Sequence, residues 1–79
     1  MFYYYVSITR NGQQFYVTSP HYKVYELEEG DWNKKLNQGK TGQRPAYLWM
    51  TEEDCKKETR WRDLLQDGDE VSYIRTYRS

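Results

Sequence analysis

Nucleophilic catalysis needs a nucleophile beside a base, and this chain has one cysteine, Cys55, and one histidine, His21, 34 positions apart. A thiol near a helix N-terminus can have its pKa lowered, but Glu52, Glu53 and Asp54 immediately before Cys55 oppose that. Zinc wants four soft or imidazole ligands, and one Cys with one His cannot supply them. The acids Glu26, Glu28, Glu29 and Asp31 lack the spacing of a calcium-binding EF-hand loop and read as a solvated turn. Gly39-Lys40-Thr41 has the ending of a phosphate-binding loop, yet position 34, where that motif places its first glycine, is Lys34. Paired acids for glycoside chemistry need a deep cleft, which a chain of 79 residues can hardly build. The expectation is a protein with no catalytic residue, no metal ligand and no cofactor.

What remains is a chemistry of contact. Nine Tyr and three Trp stand beside six Arg, the residue types that dominate interface hot spots. The stretch Lys34, Lys35, Lys40 and Arg44 carries four positive charges, and no acid lies between Asp31 and Glu52. Such a stretch can approach a phosphate backbone or an acidic protein surface. Arg75, Tyr77 and Arg78, with Arg60 and Arg62, form a second aromatic and basic group suited to stacking on single-stranded bases or to a protein interface. Charge is segregated along the chain, although twelve basic residues balance twelve acidic ones. That balance argues against a full nucleic-acid mimic, which would need an acid excess.

The elements that must position these residues are legible in part. Asn11-Gly12 is the preferred pair for a two-residue type I′ turn. Counting outward from Arg10 opposite Gln13 places Ile8 opposite Phe15 and Val6 opposite Val17, with Tyr4 on the same face. The other face then carries Tyr5, Ser7, Tyr16 and Thr18, and a one-residue slip would destroy this segregation. Strands are expected at 2–10 and 13–18, and a short one at about 22–28. Residues 33–45 read as an exposed loop, and Ala46 to Met50, apolar and bounded by turn signals, as a strand buried on both faces. Thr51 caps a helix expected to run from about 52 to 66, with three acids in its first turn and Gly68 near its stop. Trp61, Leu64 and Leu65 form its apolar stripe, Cys55 lies to one side, and a final strand spans 70–77.

The expected fold is therefore α+β, a single domain over 1–79. A largely antiparallel sheet of four to five strands begins with a hairpin, and one helix packs on one face. A single helix covers a single face, so Tyr5 and Tyr16 are expected to be exposed on the other. With the loop residues Lys34, Lys35, Lys40 and Arg44 they make the candidate partner-binding set. No apolar run approaches the length of a membrane span. The N-terminal residues lack the pattern of a signal peptide, and one unpaired cysteine suits a reducing cytoplasm.

A very short, tyrosine-rich α+β domain without a catalytic set resembles the small phage-encoded inhibitors of the anti-CRISPR type. The resemblance is one of size and composition, with no shared motif. It implies stoichiometric binding to a large protein or nucleoprotein complex in the host cytoplasm, often at a surface that binds nucleic acid. Two other readings stand beside it: a small RNA- or single-strand-binding module using the same basic loop and the arginine-rich C-terminal residues, and a purely structural homo-oligomer that self-associates through an exposed sheet edge.

Overall fold

The computed structural model describes residues 1–18, 22–26 and 46–77. Strand β1 spans Phe2–Arg10, β2 Gln13–Thr18, β3 Lys23–Glu26 and β4 Glu70–Tyr77. They form one antiparallel sheet in the order β3-β2-β1-β4. Helix α1 spans Glu52–Lys57, and a 3₁₀ turn follows at Arg60–Leu64. The expected α+β architecture is the one observed.

The hairpin forms as the turn chemistry dictates. Asn11 and Gly12 take φ of 52° and 79°, the left-handed values that a type I′ turn requires. Arg10 pairs with Gln13 and Ile8 with Phe15. Val6, Ile8 and Val17 are fully buried on one face, with Tyr4 and Phe15 packed beside them.

Beyond Ser7 and Tyr16 the hairpin opens, and residues 46–49 enter between its two strands. Tyr4 and Trp49 exchange backbone hydrogen bonds of 2.8 Å, and the Tyr47 N–H donates to the Val17 carbonyl at 2.8 Å. This segment was expected as a strand of its own. It is instead a wedge held by two isolated bridges, Tyr4 with Trp49 and Thr18 with Ala46. Its side chains do reach both faces. Tyr47 and Trp49 join the layer containing Val6 and Ile8, whereas Ala46 and Leu48 join the layer containing Tyr5 and Tyr16.

The helix departs from expectation more sharply. The continuous helix over 52–66 is broken at Glu58 and Thr59, where Glu58 is extended at φ −71° and ψ 122°. Thr51 caps the start by accepting from the Asp54 N–H at 3.0 Å, as its position suggests. The break has a packing cause. Cys55 and Trp61 lie six positions apart, and one continuous helix would point them about 120° away from each other. Both are fully buried in the same cluster, which the kink makes achievable. Glu58 also holds the kink directly, its carboxylate accepting from the Arg60 backbone N–H at 3.0 Å.

Candidate protein interface

Tyr5 and Tyr16, expected at the surface, are 5% and 2% exposed. They belong to a second core layer with Ala46, and Leu48 and Ile74 pack against it. The premise that a single helix leaves one sheet face open is corrected here. With few aliphatic residues in the chain, tyrosine rings supply the apolar volume of this second layer. Lys34, Lys35, Lys40 and Arg44 lie outside the described residues, as does His21.

The second aromatic and basic group is placed better, and the structure divides its members. Arg60 is committed internally: its Nε donates to Glu58 Oε1 at 3.0 Å and its Nη2 to Oε2 at 3.1 Å. Tyr22, itself at φ 49°, completes the knot. Its hydroxyl accepts from Arg60 Nη2 at 3.0 Å and donates to Glu58 Oε2 at 3.2 Å. These donors, Arg60 first, hold the Glu58 carboxyl down at about 2. Arg62 donates to the Tyr73 hydroxyl at 2.8 Å and lies over the Trp61 ring at 4.8 Å. Arg75 sits 4.6 Å over the Phe2 ring. Among the described residues neither Arg62 nor Arg75 has a carboxylate partner.

Among the described residues the two most exposed aromatic rings lie at the far end of the sheet, and Tyr25 on β3, 37% exposed, lies at the other edge. Phe2 and Tyr77 are register partners at the ends of β1 and β4. Their rings meet edge to face with centroids 5.3 Å apart, and they are 49% and 57% exposed. In strand alternation they share a face with Val6, Ile8 and Tyr73, the face that α1 and the 3₁₀ turn cover further along. Cys55 and Trp61 close over the Val6 end, and Phe2 is not part of their cluster. A pair of rings with a guanidinium stacked on one of them, all three exposed, is therefore the candidate interface. The sequence marked Arg75 and Tyr77 for this purpose. Phe2 was missed, although the strand register, once paired with 70–77, would have brought it opposite Tyr77.

Of the catalytic candidates, Cys55 lies among the described residues. Cys55 is fully buried, and burial first, then Glu52, pushes its thiol up to about 11, away from the reactive thiolate. Among the described residues no three His, Cys, Asp or Glu side chains gather as metal ligands. Among them too, no helix is long and apolar enough to cross a membrane. No protein-family model, no curated protein and no solved structure matches this chain.

Proposed function

We propose that this chain is a non-enzymatic binding protein that inhibits a larger macromolecular complex by occluding one of its surfaces. The observation that carries this reading is the exposed trio Phe2, Tyr77 and Arg75. Aromatic rings and arginine are the side chains on which interfaces concentrate their binding energy. Here they are held on two paired strands, so little ordering entropy is lost on docking. The concrete form of the proposal is an anti-defence inhibitor of the anti-CRISPR type acting in a host cytoplasm. A single buried thiol suits that reducing setting.

The test is a tagged pull-down from bacterial lysate with the wild type and the double variant Phe2→Ala, Tyr77→Ala. One large partner should be retained at stoichiometric level by the wild type. The double variant should lose it while keeping the wild-type circular dichroism and melting behaviour. Absence of any stoichiometric partner, or equal retention by the double variant, would count decisively against the proposal.

A second reading, single-stranded nucleic-acid binding, draws on cations beside rings that have no carboxylate partner among the described residues: Arg62 at Trp61 and Tyr73, and Arg75 at Phe2. Stacking platforms with adjacent positive charge suit bases and phosphates.

A further inference from the structure

β4 is an outer strand of the sheet, and the direction of its free backbone groups follows from the hydrogen bonds of Tyr4. Tyr4 gives both its N–H and its C=O to Trp49, on the side of β1 away from β4. Along a strand these groups alternate between the two edges. Tyr4 and Arg75 are therefore a non-hydrogen-bonded pair, and the bonds to β4 come from Tyr3, Tyr5, Ser7 and Thr9, opposite Thr76, Ile74, Ser72 and Glu70. It follows that Val71, Tyr73, Arg75 and Tyr77 aim their N–H and C=O groups outward. Among the described residues no strand pairs with them.

Exposed edges are normally blunted by shortness, lysine, proline or a bulge. The opposite edge, β3, is only four residues long and carries Lys23 and Glu26. β4 is eight residues long and contains no Lys, Pro or Gly. Its pairing with β1 runs without a bulge from Phe2 with Tyr77 to Thr9 with Glu70. Val71, Tyr73, Ile74, Thr76 and Tyr77 are strong strand formers.

We infer that the β4 edge pairs antiparallel with β4 of a second copy, about a two-fold axis through Ile74. The register is selected by elimination. An axis perpendicular to the sheet keeps equivalent faces together, so it must pass through a residue. An axis at Ser72 engages only Val71 and Tyr73 and one at Thr76 only Arg75 and Tyr77, an axis at Val71 or at Tyr77 engages that residue alone, and one at Tyr73 leaves Tyr77 unpaired. An axis at Arg75 sets two guanidinium groups directly opposite each other, which is repulsive. The axis at Ile74 sets Val71 opposite Tyr77 and Tyr73 opposite Arg75 of the second copy, and the reverse. All four outward residues are then used, in roughly eight backbone hydrogen bonds. The product is one continuous antiparallel sheet of twice the width, with both α1 helices on the same face. This inference is independent of the partner-binding proposal, because it rests on backbone direction and strand composition.

Sedimentation equilibrium over a concentration series is the first test, and it should show a monomer–dimer equilibrium. Arg75→Pro removes one outward N–H and none of the bonds to β1, a substitution that an edge strand tolerates. It should weaken dimerisation at least tenfold with the melting profile retained. Ile74→Cys fixes the register. In a non-hydrogen-bonded antiparallel pair the Cα atoms are about 4.5 Å apart, within reach of a disulfide. Mild oxidation should give a covalent dimer, whereas Ser72→Cys, opposite Thr76, should give none; the wild type controls for Cys55. Should Ile74→Cys fail to fold, amide exchange of the wild type replaces it. The Tyr73 and Arg75 amides should then become protected only at high concentration. A wild type that stays monomeric up to about millimolar concentration, an Arg75→Pro variant that dimerises normally, crosslinking by Ser72→Cys as efficient as by Ile74→Cys, or concentration-independent exchange at Tyr73 and Arg75 would each overturn the inference.

Discussion

Arg10, at the end of β1, and Asp69, just before β4, are joined by a forked ion pair. Arg10 Nε donates to Asp69 Oδ1 at 2.9 Å and Nη2 to Oδ2 at 2.8 Å, with a further bond from Nη2 to the Leu64 carbonyl at 3.1 Å. The Asp69 side chain is 2% exposed and also accepts from the Gln66 N–H. Arg10 holds the Asp69 carboxyl below its ordinary range, and the Arg60 bonds do the same for Glu58. A carboxylate whose pKa is lower in the folded state stabilises the fold above its unfolded pKa, and loses that contribution as pH falls through the folded value. Melting temperature should therefore drop as pH is taken from about 5 towards 2. Asp69→Asn should melt lower than the wild type at pH 7, and the gap should close in acid. A gap that persists unchanged at pH 2 would show that the ion pair is not its source. Gly68 gives a residue-scale prediction of another kind. Its φ is 87°, and a methyl group there would meet open space. Gly68→Ala should thus cost about 1–2 kcal/mol through left-handed backbone alone, read from the urea midpoint.

At the scale of elements, two departures from regular structure fill the same core layer. The kink at Glu58 and Thr59 turns Trp61 inward, where its ring meets Tyr73 at 6.4 Å. Among the described residues Trp61 Nε1 is buried without an acceptor, so the site values the ring more than the N–H. Trp61→Ala should cost about 3–5 kcal/mol in urea unfolding. Trp61→Phe should cost far less, since it keeps a ring and removes an unpaired donor. Equal losses from the two would contradict this account of the kink. The wedge of residues 46–49 has its own signature. The amides of Tyr4, Tyr47 and Trp49 are bonded within the sheet. They should exchange slowly with deuterium, while Leu48, lying between two of them, exchanges fast. The sequence foretold an extended apolar segment here. It did not foretell insertion into the open end of the hairpin, because that depends on β1 and β2 parting after Ser7 and Tyr16.

For the whole molecule, the decisive feature is a sheet buried on both faces by few aliphatic side chains. Leu, Ile, Val and Phe together number thirteen, against nine Tyr. Tyrosines consumed by the core layers are removed from the surface, so among the described residues the most exposed rings are Phe2 and Tyr77, with Arg75 stacked on Phe2. Single changes Phe2→Ala and Tyr77→Ala should each weaken partner binding at least tenfold, a hot-spot-sized loss measured by calorimetry or surface plasmon resonance. Salt discriminates between the two classes of partner. Affinity for single-stranded nucleic acid should fall steeply and linearly with the logarithm of salt concentration. Affinity for a protein anchored on aromatic rings should change little.

Local chemistry in the sequence determined the hairpin, its register near the turn (though not the expected pairing of Val6 with Val17), the helix cap at Thr51 and the final strand. Each of these depends on neighbouring residues or on a period of two, which a linear reading can count. Whether a ring lies inside or outside was decided only by tertiary structure. Tyr5 and Tyr77 are alike in type and in strand setting, yet one is buried and the other exposed. The difference lies in what packs over each: Tyr5 shares a core layer with Ala46 and Tyr16, while Tyr77 stands at the sheet end and belongs to neither core cluster. The same holds for Arg60 and Arg75, one bonded to Glu58 and the other stacked on Phe2. Burial is a property of contacts between segments distant in sequence, and no local pattern of residue types encodes it.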